Sequence, residues 1–413
     1  MKNKVLLLVG TWKLFGGKGD GIHIFEQDPL TGTLFELSQV TSTGNTSMLC
    51  ITRDGRFVYA VDERKDLDGV YGRGGGVEAF SIDQNTMKLT SLNKQPSLGS
   101  CPSFVCVDND SRFIAVSNHG TNPCMATTVV QNSDKTYAVR RIPDDSSVAL
   151  FPISNNGTIM PCSSIFISRG PDLEQPAHCH SVAFSPNGKL LFSCDKGLSR
   201  IYIFRIDKEQ GELVQMPGSP YICRHNSRTR HMAFHPFLPI LFTSNEYEYS
   251  VTSYMCDFKS GQIHEVCTKS TDFDKFIAGR QLFPGTVDVR VHPNGRFIYV
   301  SNRTTNNGIT SISINPINSE YENGTISIFS LTDEYGHMRL ICRHPLRCGN
   351  PRSFELSPDG CFLYVAELDR DNITRYSINS KTGLLSDEMV VANIPSPSHL
   401  VFYNKSVKDC MKG

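Results

Sequence analysis

Short apolar runs separated by polar turns recur along the chain, and the same arrangement returns several times. One unit starts at Ser181 as SVAFSPNGKLLFSCDKG and continues SRIYIFRIDKEQGELVQM. It returns as HMAFHPFLPILFTSNEY from His231, VRVHPNGRFIYVSNR from Val289 and SFELSPDGCFLYVAELD from Ser353. Earlier copies are MLCITRDGRFVYAVDER from Met48 and FVCVDNDSRFIAVSNHG from Phe104. Each unit reads as four short strands. Strand a alternates apolar and polar positions and ends near Ser-Pro. A Pro-Asn-Gly or Pro-Asp-Gly turn follows, because glycine takes the positive φ the turn needs. Strand b is more apolar (FIYV, FLYV), with the β-branched and aromatic residues that suit a sheet. Strand c carries aromatics (IYIF, ISIF), and a turn such as Lys-Thr-Gly leads to strand d. No long segment has helical period, and Pro and Gly interrupt the chain throughout.

Six complete units cover about residues 45–390, and the two ends supply a seventh. Val5–Thr11, Gly21–Phe25 and Thr33–Leu37 read as strands b, c and d. Ser398-His-Leu-Val-Phe reads as the missing strand a. Pairing the termini in one blade closes a ring and hides two sheet edges. The expectation is an all-β, seven-bladed β-propeller of four-stranded antiparallel blades, one domain over residues 1–413. The repeat overrides the two or three domains that 413 residues would otherwise suggest.

The repeat also predicts where chemistry can gather. Strand a lies nearest the axis and runs antiparallel to b, so the start of a and the end of b share one face beside the channel. The start-of-a column is Ser398, Ser47, Ser103, His180, Arg230, Val287 and Arg352. After it come His399, Met48, Phe104, Ser181, His231, Asp288 and Ser353. The end-of-b column is Thr11-Trp12, Asp62-Glu63, Asn118-His119, Asp195-Lys196, Asn245-Glu246, Asn302-Arg303 and Glu367-Leu368. This is a polar ring on otherwise apolar strands. Its bland reading is a wet channel. Its sharper reading is a site for a small anion, since Arg holds carboxylate or phosphate in bidentate fashion. Arg230 and Arg303, with Arg352 and Lys196, would bind the anion, and His180 or Glu246 would move a proton. His178, Glu63, His119, Asp288 and Trp12 complete the candidate binding set. Three b-to-c connections on this face, 64–76, 120–146 and 304–323, are long enough to form rims or lids.

Composition changes the picture little. Lys+Arg and Asp+Glu both number 41, giving zero formal charge, which argues against a nucleic-acid binder working through a broad basic face. With 39% hydrophobic and 20% charged residues the chain is ordinary globular protein. The run Val5–Val9 is too short for a signal core, and no stretch reaches the roughly 18 apolar residues of a membrane helix. The 14 cysteines form no C-x-x-C pair, and most sit in apolar runs. A cytoplasmic protein with free thiols and no membrane or nucleic-acid partner is expected. His178-Cys-His180 could hold a metal, but no third ligand is evident, so neither metal nor cofactor is expected. Gly16-Gly-Lys-Gly-Asp-Gly and Gly72-Arg-Gly-Gly-Gly lack the spacing of phosphate loops and read as flexible connections. No G-x-S-x-G elbow is present, which weakens a serine hydrolase.

Several segments together resemble the seven-bladed propeller lactonases, whose members include a bacterial-type 6-phosphogluconolactonase and the fungal carboxy-cis,cis-muconate lactonising enzyme. They are Gly10-Thr11-Trp12, GPDLEQPAHCHSVAFSPNGK (170–189), RHMAFHP (230–236) with SNE (244–246), VHPNGRFIYVSNR (291–303) and NPRSFELSPDG (350–360). The resemblance covers nearly the whole chain. It implies that His180, Arg230, Glu246 and Arg303 line an active cleft, the four residues the column count puts at one mouth. The chain departs from the family at Cys194-Asp195-Lys196-Gly197, at Phe237-Leu-Pro and in the long blade 3 insertion. The implied activity is hydrolysis of an anionic sugar lactone, foremost 6-phosphogluconolactone. The alternatives are cyclisation of a carboxylated muconate, or a non-enzymatic propeller that binds a small anion or a protein.

Overall fold

The computed structural model describes residues 4–13, 16–41, 44–120, 126–171, 175–271, 285–303 and 323–404. Seven antiparallel sheets follow one another, each with its first strand innermost. Blade 1 is made by the two ends: Pro397–Asn404 is innermost, followed by Val5–Thr11, Ile22–Gln27 and Leu34–Val40. The innermost strands of blades 2 to 7 are Leu49–Ile51, Pro102–Val107, Cys179–Phe184, Thr229–Phe234, Thr286–Val291 and Pro351–Leu356. Each packs against the innermost strands of both neighbours, and the last closes against blade 1. The ring therefore closes as the repeat predicts. Among the described residues no helix is long and apolar enough to cross a membrane.

The core is divided in the same way. Seven apolar clusters lie one between each pair of adjacent blades. Between blades 4 and 5, Phe192 and Ile201 meet Leu241 and Tyr254. Strand b is sandwiched between two such clusters, so Leu190–Asp195, Ile240–Asn245 and Phe297–Asn302 are buried at every position. That explains why strand b reads as a continuous apolar run, whereas outer strands such as Leu385–Asn393 are largely exposed. Burying each large side chain contributes about 1.5–3 kcal/mol. The Tyr of strand b also reaches the next blade: Tyr299 Oη donates to Gly383 O at 2.8 Å and Tyr364 Oη to Gly32 O at 2.7 Å.

Two expectations change. The 120–146 connection carries a two-stranded hairpin, Ala126–Gln131 with Tyr137–Ile142, rather than a structureless loop. The Phe237-Leu-Pro turn works without Pro-Asn-Gly because His235 Nδ1 accepts the amides of Phe237 (3.1 Å) and Leu238 (2.9 Å). Of the third long connection, 304–322 lies outside the described residues.

Candidate active site

One backbone device repeats at the channel mouth. In blades 1 and 3 to 7 the start of strand a carries a β-bulge against strand b. A bulge inserts an extra residue and re-aims its side chain. In blades 4 and 7 the extra residues are His180 and Arg352, and in blade 5 the bulge spans Arg230 and His231. The end of strand b is pinned as regularly. Its last residue is polar and spent on structure, as where Asn245 Nδ2 donates to Ser250 Oγ (2.9 Å) and Thr252 Oγ1 (2.8 Å). The amide of the following residue then donates to the segment entering strand a: Glu63 to Asn45 O, His119 to Cys101 O, Lys196 to His178 O, Glu246 to Arg228 O and Arg303 to Gly285 O. In these five pairs the first member therefore builds the fold and the second offers a charged or imidazole side chain.

Glu246 is the centre of the site. Its Oε2 accepts from Lys196 Nζ at 2.7 Å and its Oε1 from Arg303 Nη2 at 2.7 Å. Arg230 Nε stands 3.9 Å from the same Oε1. Burial alone would raise the Glu246 carboxyl, but Lys196, Arg303 and Arg230 outweigh it and hold it well below the usual carboxylate range. The cations do not gain in return. Burial pushes Lys196 down, with Arg230 and Arg303 adding to it against the pull of Glu246. Burial likewise pushes Arg230 down to about 9, with Arg303 and Arg352 adding to it. One carboxylate is shared by three cations that repel one another.

Beside this cluster stand four imidazoles. His180 is 5.1 Å from His231 and 5.2 Å from His119 between ring centroids, and His119 stacks on His178 at 4.3 Å. Burial, reinforced by Arg230 and Lys196, holds His180 well below its ordinary range, so the ring is neutral. Burial likewise takes His178 down to about 4 and His119 well below the histidine range. Buried polar atoms are paired as a rule. Here His180 Nδ1, Arg230 Nε and Arg303 Nε have no hydrogen-bond partner among the described residues.

A second group faces the first. Arg352 lies over the Trp12 ring, its guanidinium carbon 4.0 Å from the centroid, and its Nη2 donates to Glu63 Oε2 at 3.1 Å. Burial lowers Arg352 against the pull of Glu63, and Arg303 lowers it further. Within the Gly16–Gly21 segment, Gly17 and Gly19 are packed against Trp12. The Gly19 amide donates to Trp12 O at 2.8 Å, and a Cβ on Gly19 would meet that oxygen at 2.5 Å. The glycines let the backbone lie against the only Trp.

His180, Glu246, Arg230, Arg303 and Lys196 thus come together, and Arg352, Glu63 and Trp12 form the facing wall. His178 and His119 stand behind His180. Asp288 does not reach the mouth: it is 0% exposed, and its Oδ1 is taken by His231 Nδ1 (3.0 Å), Arg290 Nη1 (2.5 Å) and Val289 N (2.9 Å). His231, which the column count places next to Arg230 at the channel, is a residue to which the sequence assigns no role. Among the described residues no three His, Cys, Asp or Glu side chains are grouped to hold a metal ion. A cleft of about 880 Å³ lies away from the mouth, between the a–b turns of blades 2 and 3. A smaller one repeats between blades 5 and 6, so both follow from the repeat geometry.

Comparison with known proteins agrees with this architecture. Residues 6–402 match the family described as Lactonase, 7-bladed beta-propeller. A 6-phosphogluconolactonase of Formosa agariphila is 26% identical over 381 residues, which are 90% of this chain and 93% of that protein. The 6-phosphogluconolactonase of Bacillus subtilis is 23% identical over 97% of this chain and 99% of its own. The periplasmic gluconolactonase of Pseudomonas aeruginosa shares the fold with a TM-score of 0.79, at 22% identity over 97% of this chain and 99% of its own. The chain belongs to the seven-bladed β-propeller lactonase family.

Proposed function

We propose that the chain hydrolyses the lactone ring of a phosphorylated sugar acid, 6-phosphogluconolactone being the foremost substrate. The observation that carries this reading is the set of buried, unpartnered nitrogens around Glu246: His180 Nδ1, Arg230 Nε and Arg303 Nε. The Arg230 and Arg303 Nε–H groups are donors held in place with nothing to bind, which a developing oxyanion requires, and His180 Nδ1 is free to accept a proton. Charge supports it as well. Lys196, Arg230, Arg303 and Arg352 outnumber Glu63 and Glu246 by two, and a phosphate carries about −1.5 to −2 at neutral pH. The two curated relatives carry the 6-phosphogluconolactonase name, and neither they nor the family description names a cyclase.

In this reading the anionic group enters against Arg352, whose plane is fixed by Trp12 and Glu63. The ring carbonyl lies at the Arg230 and Arg303 Nε–H groups. Water attacks the carbonyl carbon as neutral His180 takes its proton on Nδ1. Bound anion raises the histidine pKa, offsetting the lowering by Arg230 and Lys196. The tetrahedral oxyanion is held by the two arginines. It collapses with cleavage of the ring C–O bond, and the imidazolium returns a proton to the departing alkoxide. The product acid ionises and releases one proton. Glu246 is too acidic to serve as the base, so its role is to hold Lys196 and Arg303 in place. The reading extends to a reducing compartment such as the cytoplasm, supported by the twelve free thiols among the described residues.

The test is a pH-stat assay at neutral pH, without added metal, on phosphorylated and unphosphorylated sugar lactones. Turnover should favour the phosphorylated ring, and Arg303→Ala and Glu246→Gln should each lose about 100-fold or more in kcat/KM. Wild-type rates in both variants would remove the assignment.

A further inference from the structure

We infer that His231 and Asp288 are a positioning dyad that sets the orientation of the Arg230 guanidinium; the inference rests on the reading of Arg230 as an oxyanion-binding group.

Arg230 Nη1 lies 2.8 Å from Val287 O and 3.1 Å from His231 Nε2. A guanidinium can only donate, so Nε2 must accept, and the ring proton must sit on Nδ1. That Nδ1 is 3.0 Å from Asp288 Oδ1, a carboxylate oxygen that can only accept. One arrangement of protons satisfies every atom: a neutral imidazole, Nδ1–H toward Asp288, lone pair toward Arg230. Burial pushes His231 down to about 4 despite Asp288, which keeps the ring neutral at physiological pH. Asp288 is itself fixed. Arg290 Nη1 binds its Oδ1, and Arg290 Nε donates to Glu355 Oε2 at 2.9 Å. A chain of contacts therefore runs from Glu355 in blade 7 through Arg290, Asp288 and His231 to Arg230 in blade 5.

The consequence falls on Arg230. With Nη1 tied to the channel wall by two acceptors, the guanidinium cannot rotate about Nε without breaking both bonds. Its unpartnered Nε is thereby held on the side of Glu246. Donors held in place before reaction need no reorganisation at the transition state. His231 acts through Arg230 and does not itself supply a proton or a donor to the ligand.

The experiment uses the full chain. His231→Phe keeps an aromatic ring against Phe104, whose centroid is 5.3 Å away, but removes both ring nitrogens. His231→Gln can still offer an acceptor oxygen to Arg230, and Asp288→Asn keeps an acceptor at Oδ1. On a phosphorylated sugar lactone, kcat should fall roughly 10- to 100-fold in His231→Phe, with KM within about threefold. Gln at 231 and Asn at 288 should stay within about fivefold of wild type. A second readout needs no turnover. Nitrogen-15 spectra should show the Nδ1–H tautomer for His231, assigned by its loss in His231→Phe. The Arg230 Nε–H resonance should move in His231→Phe and hold in His231→Gln. An Nε2–H tautomer, or His231→Phe with wild-type kcat and an unmoved Arg230 resonance, overturns the dyad. If wild type opens no lactone, the proposed function fails while the spectra still decide the dyad.

Discussion

Glu246 and Glu367 occupy neighbouring positions of the same repeat and behave as opposites. Glu367 is the last residue of strand b in blade 7, and Glu246 follows the last residue in blade 5. Both are buried. Glu246 touches two cations and has a third nearby, and it is held far down. Glu367 has Arg370 Nε at 3.8 Å and an Oε1 with no partner among the described residues. Burial drives its carboxyl up to about 7 against Thr374 and Arg370. Glu63 lies between the two: it touches one cation, Arg352, and burial still wins, so its carboxyl is raised. Glu246 and Glu367 are both buried and Glu63 is less so, and what separates the two buried carboxyls is how many cations surround them. A repeat can therefore place one residue type at adjacent positions of its blades and give it a counter-ion role in one and a strongly raised carboxyl pKa in another.

The sharpest way to break the contrast is to remove the charge from Glu246. Glu246→Gln leaves Lys196, Arg230 and Arg303 packed together with no carboxylate. Stability should fall by about 3 kcal/mol, since the uncompensated cations stay buried. Adding Lys196→Met should recover part of that stability and none of the activity, because one repulsion goes while the donor geometry stays lost. Urea unfolding and lactone assays on both proteins check this. Unchanged stability in the single variant would mean that solvent already screens the cluster.

The second test works on Glu367 through pH. A carboxyl raised above its unfolded value contributes stability in full below about pH 4.3 and loses it as pH rises through about 7. Wild type should lose about 2 kcal/mol from this group between pH 5 and 9. Glu367→Gln should flatten that slope and leave turnover intact. Glu246 has the opposite sign, since a depressed carboxyl gives up its contribution only as pH falls below the usual carboxylate range. Melting temperatures of both proteins across pH 5 to 9 decide the matter, and parallel curves would reject the protonated reading of Glu367.

Much of this geometry was legible in the chain and some was not, for identifiable reasons. The seven blades follow from tight turns at a fixed offset, and counting from those turns finds His180, Arg230, Glu246 and Arg303. The count treats strands a and b as ideal, whereas the bulge adds a residue that no single strand reveals. It thus put Asp288 at the mouth, while the Thr286–Val291 strand turns it into the wall. The count places His231 beside Arg230 but gives it no role, because that role depends on Val287 and Asp288 of the next blade. The hairpin 126–142 was missed because its strands, Ala126–Gln131 and Tyr137–Ile142, mix Thr, Val and Arg without a clean apolar face. Glycines 17 and 19 suggested looseness, yet they are there because Trp12 leaves no room for a Cβ.

The smallest effect belongs to Glu63, and it tests whether the intermediate case is a binding group. Glu63→Gln keeps a hydrogen-bond acceptor for Arg352 and removes the charge that opposes it. Arg352 would remain over Trp12, whose stacking is independent of Glu63. The lost carboxylate raises the local positive surplus while loosening the geometry, and these two effects oppose one another. Geometry should prevail for a rigid substrate, because the 3.1 Å bond to Glu63 is what fixes the direction of the guanidinium fork. KM for the phosphorylated lactone should rise about threefold, with kcat nearly unchanged, since a remote anion contact binds ground and transition states alike. Stability should shift by no more than about 1 kcal/mol, the net worth of one hydrogen bond. A fall in kcat at constant KM would move Arg352 from holding the anion to stabilising the transition state, and the division of the mouth into two walls would have to be redrawn.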